Sequence, residues 1–139
     1  HDHHVVAEVR DLDLAVLLIT HDLGVVADFC DDVVVMYAGH VVERTSVRGL
    51  FYEPRHPYSS ALLAAVPQAG QPRTRLTVIP GRVPPAGRFA TGCRFQPRCE
   101  YAVDACAKPQ AESELDGGHR TRCGRVAAGA VTLEGVARG

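Results

Sequence analysis

Short apolar runs separated by polar residues dominate the first part of the chain and predict alternating helices and strands. Apolar side chains recur at spacings of one, three and three over residues 5–12, which predicts one face of a short helix. The run LAVLLIT at residues 14–20 is continuous and too short for a typical helix, and polar His21 and Asp22 close it. It predicts a strand buried on both faces, as in a parallel sheet.

A second helix and a hairpin are predicted next. Residues 23–30 have apolar side chains at helical spacing, and Asp22 is suited to cap the N-terminus of that helix. Residues 32–43 contain two β-branched runs on either side of Ala38 and Gly39. Two such runs around a tight turn predict a hairpin.

The pattern becomes less regular after the hairpin. Ser46 is placed to cap a short helix that runs to Tyr52, and the apolar residues 59–66 predict another helix that ends at Pro67. In residues 69–92, eight of 24 residues are Gly or Pro. This stretch is therefore predicted to be an extended, irregular strap.

Charge and composition change after Gln68, which divides the chain into two parts. Residues 1–68 have a net charge of −6, whereas residues 69–139 have a net charge of +5 and hold four of the five cysteines. The basic second part has no aromatic interleaving and no recognition-helix pattern, so we predict no nucleic-acid partner. Its charge is interpreted as a solvated face or as docking on the acidic first part.

The lengths of the apolar runs bear on the cellular compartment. The longest, residues 14–19 and 33–38, contain six residues each, against roughly 20 for a membrane span. The N-terminus has no succession of basic, apolar and small residues typical of a secretory signal. These features argue against a membrane span and predict a cytoplasmic protein.

The cysteines of the second part are the first candidates for chemistry. Cys93, Cys99, Cys106 and Cys123 are separated by five, six and 16 residues. Four thiols close together in a cytosolic chain favour metal ligation over disulfides. Without a C-x-x-C pair structural zinc is weakened but not excluded, and all-thiolate ligation also suits a [4Fe-4S] cluster. Free thiols without metal are the third alternative, and Cys30 is interpreted as a small core residue.

Arginines flank these cysteines on both sides. The positive side chains would favour an anionic metal centre with four thiolates, but they are equally consistent with a solvated surface. The flanking residues are Arg94, Arg98, Arg120 and Arg122.

His21 is the second candidate, because it follows the predicted strand directly. The carboxyl end of such a strand is where α/β sheets present functional groups. An imidazole there can donate a hydrogen bond to a phosphoryl oxygen and polarise a water at neutral pH. A lone histidine is nevertheless more often an ordinary surface residue, so the spacing alone does not decide its role.

Longer stretches of sequence carry a family resemblance. VLLITHDLGVV (16–26) and DVVVMYAGHVVE (32–43) resemble the end of the nucleotide-binding domain of ABC transporter ATPases, and YEPRHPYSSALLAAVPQ (52–68) resembles the peptide and nickel importer branch. The resemblance implies an α/β fold, with residues 1–68 forming the C-terminal part of a P-loop NTPase (ABC ATPase) domain. It also implies that His21 is the catalytic switch histidine, which hydrogen-bonds the γ-phosphate of ATP, and that Asp22 holds the turn.

The second part resembles the C-terminal extension of the peptide-importer ATPases. The matching segments are IPGRVPP (79–85), GCRFQPRCEYAVDAC (92–106) and GHRTRC (118–123). Residues 69–139 are thus expected to form an irregular, Cys-rich C-terminal domain. Some family members hold an iron-sulfur cluster with these four cysteines, which implies Cys93, Cys99, Cys106 and Cys123 as cofactor-binding and metal-ligating residues here, for a [4Fe-4S] cluster or for zinc.

The family's phosphate-binding motifs are missing from the sequence. There is no G-x-x-x-x-G-K-[ST] loop, no LSGGQ-like signature and no aliphatic run ending in Asp-Glu, and the single lysine, Lys108, lies in the cysteine region. The resemblance therefore implies a partial ATP-binding subunit of an importer for dipeptides, oligopeptides or nickel, inactive alone. ATP and Mg²⁺ would be cofactors only of the complete subunit.

The resemblance also implies partners and a location. These are a second ATPase subunit, two membrane permease subunits and, indirectly, an extracytoplasmic binding protein, at the cytoplasmic face of the cell membrane. Two alternatives to an importer subunit stay open at this point. In the first, the chain is a stand-alone iron-sulfur or zinc binding interaction module. In the second, it is a truncated gene product without a function of its own.

Overall fold

A computed structural model of the chain describes residues 3–9, 15–66 and 78–136. The strands are β1 His3–Val9, β2 Val16–Thr20, β3 Asp32–Tyr37, β4 His40–Ser46, β5 Ser113–Glu114 and β6 Arg120–Thr121, and the α-helices are α1 Leu23–Phe29, α2 Val47–Tyr52, α3 Pro57–Ala64 and α4 Gly124–Ala127. Short 3₁₀ turns occupy Gln96–Arg98, Asp104–Ala107 and Asp116–Gly118. None of the helices in these ranges is long and apolar enough to cross a membrane.

The described strands form one antiparallel sheet in the order β2-β1-β3-β4-β6-β5. Together with the helices, this sheet gives a mixed α/β fold. Strand β6 pairs with β4 through Glu43 and Arg44, opposite Thr121 and Arg120. The sheet therefore joins residues from both sides of the composition boundary at Gln68.

Residues 3–9 form strand β1, so the helix predicted over residues 5–12 is wrong for its described part. Val5 and Ala7 are buried, whereas Val6 and Glu8, which alternate with them, are partly exposed. This alternation has the period of a strand, and β1 satisfies its backbone groups by pairing with both β2 and β3. The helical spacing depended partly on Leu12, which lies outside the described residues.

Strand β2 confirms the strand predicted at residues 14–20 but not its surroundings. It pairs antiparallel with β1 at the edge of the sheet, and Val16, Leu17 and Ile19 are exposed, Leu17 by 69%. The expected parallel, doubly buried strand is thus wrong for this chain. A continuous apolar run favours extended backbone, but pairing and burial depend on which other segments cover it.

Helix α1 and the β3–β4 hairpin agree with the predictions. Asp22 caps α1, since its Oδ1 accepts hydrogen bonds from the backbone N–H groups of Gly24 at 2.9 Å and Val25 at 3.3 Å. Ala38 and Gly39 form the hairpin turn with φ of 48° and 79°. Two positive φ values in succession are typical of the tight turn that matches the twist of a hairpin.

Replacement of the α1 cap should have a modest cost. We expect Asp22→Ala to lower the free energy of unfolding by about 1 kcal/mol, because two backbone N–H groups lose their acceptor. Asp22→Asn keeps an acceptor oxygen and is the matched control. Denaturant titration measures both variants, and equal stabilities would contradict the capping role.

Helices α2 and α3 also form where the sequence placed them, with one shift. The Ser46 hydroxyl accepts the Gly49 N–H at 3.0 Å and caps α2. Helix α3 begins at Pro57, two residues before the predicted start, because proline fits the first turn and His56 Nδ1 caps the helix by accepting the Tyr58 N–H at 3.0 Å. The predicted stop at Pro67 lies outside the described residues.

The strap has no helix or strand over residues 78–92, as predicted, while residues 69–77 lie outside the described ranges. Arg98 fastens it to the rest of the fold. The guanidinium donates to the carbonyl of Pro80 at 2.8 Å, to that of Ile79 at 3.3 Å and to the Tyr37 hydroxyl at 3.3 Å. One side chain thus joins the strap, the cysteine segment and the sheet.

Three aromatic rings lie where these parts meet. Tyr37 of β3, Tyr58 of α3 and Phe95 of the cysteine segment are at most 2% exposed. Their ring centroids are 4.7 Å (Tyr37 to Tyr58), 5.2 Å (Tyr37 to Phe95) and 5.4 Å (Tyr58 to Phe95) apart. Tilted and edge-on rings at such distances attract each other beyond their area burial, so the cluster positions the cysteine segment against the sheet.

Candidate functional site

The four cysteines of the second part line one pocket, together with His56 and Phe95. They reach it from three elements: the turns of residues 93–99, the 3₁₀ turn around Cys106, and the residue that precedes α4. The backbones of Cys93 and Cys106 are joined by a hydrogen bond, in which the Cys93 N–H donates to the Cys106 carbonyl at 2.8 Å. The four cysteines selected from the sequence therefore line the same pocket.

Gly92 makes the approach of Cys93 to Cys106 sterically feasible. A Cβ atom at this position would overlap the backbone carbonyl groups of Cys106 and Ala107. Gly92 is itself buried, so the two chain segments pack backbone against backbone. Only glycine allows this contact without displacing one of them.

Burial and mutual repulsion act on these thiols. Burial raises the pKa of Cys93 and Cys123, and it raises the pKa of Cys99 to about 11; the charge that neighbouring cysteines would carry adds to each rise. Ionised sulfurs in this pocket would repel one another. A bound cation would remove that repulsion and hold the thiolates together.

Backbone amides oppose this effect by pointing at the sulfurs, and they lower the thiol pKa values. N–H groups directed at sulfur are a common support of metal-bound thiolates. The donors are Phe95 and Gln96 for Cys93, Tyr101 for Cys99, and Arg125 and Val126 for Cys123.

The side chains at the pocket fit thiolate ligation in type. Within residues 3–9, 15–66 and 78–136, however, no group of three or more His, Cys, Asp or Glu side chains is arranged to hold a metal ion. All five cysteines are free thiols, and Cys30 is buried in the hydrophobic core, which agrees with its predicted role. The pocket thus gathers the donors without presenting a finished metal site.

His21 lies apart from this pocket. It is exposed, immediately after β2 and before the Asp22 cap of α1. It is not among the residues that line the cysteine pocket. The two candidates from the sequence, His21 and the four cysteines, therefore lie apart in the structure.

His56 is a pocket residue that the sequence reasoning missed. Its ring is 1% exposed, and burial, helped by the charge of Arg122, lowers its pKa to about 3. The ring is therefore neutral at physiological pH. The available signal was its position before Pro57, where a capping residue precedes a proline at the first turn of a helix.

His56 should make the protein sensitive to acid. Its pKa is lower in the folded chain, so the unfolded chain binds an extra proton below pH 6.5. The contribution of the neutral ring to the free energy of unfolding is fully present above that pH and is lost as the pH drops toward 3. We expect wild type to lose about 1 kcal/mol more than His56→Asn between pH 7 and pH 5.5. Denaturant titrations at both pH values measure this, and parallel losses would contradict it.

The arginines beside the cysteines act mainly as cross-links to the backbone. Arg94 donates to the Ala38 carbonyl at 2.5 Å, and Arg122 donates to the Val41 carbonyl at 2.7 Å. Arg98 holds the strap as described above. Arg120 is exposed, with Glu114 at 3.7 Å. The sequence analysis interpreted these arginines as favouring an anionic metal centre or as a solvated surface. The structure adds hydrogen bonds from Arg94 and Arg122 that join the second part of the chain to the β3–β4 hairpin.

Glu43 forms a buried polar cluster next to this region, which the sequence did not predict. Its Oε1 accepts the Arg55 N–H at 2.8 Å and lies 2.5 Å from His119 Nε2. The Glu43 side chain is fully buried, and its Oε2 has no hydrogen-bond partner in the described part of the chain. Thr121 extends the cluster by donating to the Arg55 carbonyl and accepting the Cys123 N–H at 3.1 Å. Cys123 is thereby joined through Thr121 to the backbone of Arg55.

One known protein family matches part of this chain. Residues 42–106 match the family described as the oligopeptide/dipeptide transporter, C-terminal region. Over those residues the chain is similar to this family. The matched residues contain α3, His56 and three of the pocket cysteines, whereas His21 and Cys123 lie outside them.

Curated relatives carry related names. A putative peptide import ATP-binding protein of Brucella melitensis is 46% identical over 113 residues, which are 81% of this chain and 34% of the relative. The oligopeptide transport ATP-binding protein OppD of Salmonella typhimurium is 48% identical over 97 residues, 70% of this chain and 29% of OppD. The dipeptide transport ATP-binding protein DppD of Escherichia coli is 44% identical over 112 residues, 80% of this chain and 34% of DppD. The chain thus spans about a third of the length of these curated relatives.

Proposed function

We propose that this chain is the C-terminal portion of an ATP-binding subunit of a dipeptide or oligopeptide ABC importer, with nickel as the alternative cargo. The observation that carries the proposal is the 44% to 48% identity to proteins named OppD and DppD. The proposed domain division places the end of a P-loop NTPase domain in residues 1–68 and a Cys-rich extension in residues 69–139.

His21 is the proposed catalytic residue of this subunit. Its position is favourable, because the exposed side chain follows a strand and the Asp22 cap fixes the turn behind it. From there the imidazole would donate a hydrogen bond to the γ-phosphate of ATP and orient the attacking water. ATP and Mg²⁺ belong to the complete subunit, which alone would supply a phosphate-binding loop.

The proposed partners follow from this assignment. A second ATPase subunit would complete the nucleotide sites, two permease subunits would form the membrane path, and an extracytoplasmic binding protein would deliver the cargo. The chain would then lie at the cytoplasmic face of the membrane. Exposed apolar side chains of β2, such as Leu17 and Ile19, are suited to be covered by the remainder of such an ATPase domain.

A chimera tests the transport assignment. The corresponding region of E. coli DppD is replaced by this chain, and dipeptide uptake is measured in cells that lack their own DppD. We expect uptake to be restored and His21→Ala to reduce it about 100-fold or more, as for loss of a group that stabilises transition-state charge. Asp22→Asn, which keeps the cap, is the control that should retain uptake.

Two results would contradict the transport assignment. One is a chimera that accumulates normally but supports no uptake, and the other is a His21→Ala chimera that transports as well as the parent. The isolated chain should show no vanadate-sensitive ATP hydrolysis, because its sequence contains no phosphate-binding loop. Turnover by the isolated chain would contradict that part.

The four-cysteine pocket supports a second proposal, a metal centre held by Cys93, Cys99, Cys106 and Cys123. The thiols share one pocket, their ionised forms would repel each other without a cation, and backbone N–H groups point at three of the sulfurs. A [4Fe-4S] cluster takes one thiolate per iron and fits this donor set, and zinc is the alternative. A structural or redox-sensing role suits such a centre. The same metal centre would also be present if the chain were a stand-alone binding module.

Anaerobic reconstitution distinguishes the metals. With iron and sulfide supplied, a cluster predicts a brown protein with about four iron and four sulfide per chain. Stoichiometric zinc without iron would contradict the cluster and keep the metal centre. A colourless chain that retains neither metal would contradict the metal centre itself.

A further inference from the structure

We propose that His56 is a positioning residue of the cysteine pocket, whose Nε2–H donates a hydrogen bond to a metal-bound sulfur. The proposal rests on the proposed metal centre and goes beyond its four cysteines. The ring is 1% exposed and lines the same pocket as Cys93, Cys99, Cys106 and Cys123. A buried polar side chain at the wall of a ligand pocket is placed to contact what binds there.

The hydrogen bonding of the ring fixes the position of its proton. His56 Nδ1 accepts the backbone N–H of Tyr58 at 3.0 Å, so the neutral ring carries its proton on Nε2. The Nε2–H is therefore a hydrogen-bond donor on a residue that lines the cysteine pocket. A sulfur of a bound metal centre would be an acceptor for it.

The same bonding makes His56 a donor and excludes it as a ligand. A histidine that binds a metal through one ring nitrogen donates the proton on its other nitrogen to a neighbour. Here Nδ1 is an acceptor, so ligation by Nε2 would require a ring without any proton. Donation from Nε2–H to sulfur requires no change of the ring.

The surroundings hold the ring in place. His56 lies between two buried prolines, Pro54 and Pro57, and the latter begins α3 with a fixed φ. The Phe95 ring is 6.2 Å away between centroids, in the segment that carries Cys93 and Cys99. A donor fixed in this way is preorganised for a centre whose ligands come from the adjacent turns.

Two substitutions separate the donor from the cap. His56→Asn keeps a short side-chain acceptor for the Tyr58 N–H but has no group that reaches the pocket. His56→Gln places an amide N–H near the former Nε2 but no longer caps α3. Donation to the metal centre thus predicts that Gln is tolerated better than Asn, whereas a purely structural cap predicts the reverse order.

The experiment measures metal retention by the full chain. Wild type and both variants are reconstituted with iron and sulfide, or with zinc, and challenged with a chelator. We expect His56→Asn to lose the metal about tenfold faster than wild type, with His56→Gln close to wild type. If the centre contains iron, its reduction potential should also become more negative in His56→Asn, because a donor to sulfur stabilises the reduced cluster.

Each outcome bears on one of the two proposals. Wild type that binds neither iron nor zinc overturns the metal centre and, with it, the role of His56. Loaded wild type with unchanged retention and potential in His56→Asn overturns only the role of His56. Faster loss in His56→Gln than in His56→Asn assigns the ring to capping alone and also overturns it.

Discussion

Glu43→Ala is expected to lower the free energy of unfolding by about 3 kcal/mol, because it removes one partner of a buried, hydrogen-bonded pair. Glu43 Oε1 accepts the Arg55 N–H at 2.8 Å and lies 2.5 Å from His119 Nε2. The substitution leaves both groups without an acceptor and opens a cavity between β4 and the segment that carries His119. Equilibrium denaturation of wild type and variant measures the loss.

Glu53→Ala is the matched control for Glu43→Ala. The Glu53 side chain is 58% exposed and lies 3.8 Å from Arg55, so its ion pair is screened by water. We expect a loss of about 0.5 kcal/mol or less. Glu43→Gln keeps an acceptor for the Arg55 N–H and should lie between these values. Similar losses for Glu43→Ala and Glu53→Ala would contradict the importance of the buried cluster.

Gly92→Ala should have the second large effect, about 3 kcal/mol of stability together with loss of metal loading. The added Cβ would overlap the backbone of Cys106 and Ala107, which has no flexible side chain to move aside. The hydrogen bond from Cys93 N–H to the Cys106 carbonyl would have to lengthen or break, and it is 2.8 Å long in the structure. Two of the four thiols would then separate. Denaturant titration and metal analysis measure the two consequences.

Gly87→Ala controls for the change of glycine to alanine itself. Gly87 has a φ of 83°, and a Cβ there would meet no atom within 4 Å. The substitution should cost only the left-handed backbone conformation, about 1 kcal/mol, and leave metal loading unchanged. Equal metal loading in Gly92→Ala and Gly87→Ala would contradict the close packing of Cys93 against Cys106.

Elements with a local cause could be predicted from the sequence. Asp22 and Ser46 cap α1 and α2 through backbone N–H groups within three residues of them. The hairpin turn at Ala38 and Gly39 is equally local. Such signals require only a few neighbouring residues, so a single sequence contains them.

Elements that depend on distant partners could not be predicted in the same way. Strand β1 is extended because β2 and β3 pair with it, and β2 has an open face because it lies at the sheet edge. For the site, the sequence selected the four cysteines but not His56 or Glu43. The roles of these two residues depend on segments more than 35 residues away in the chain. His56 lines a pocket with the four cysteines, and Glu43 lies against His119.

We propose one metal centre held by four thiols, three of them within the matched residues 42–106 and Cys123 outside these residues. Metal bound per chain, after reconstitution, tests it in single variants. We predict that replacing any of Cys93, Cys99, Cys106 or Cys123 by serine abolishes stoichiometric loading, while Cys30→Ala, outside the pocket, loads like wild type. Full loading in any of the four serine variants would contradict the claim.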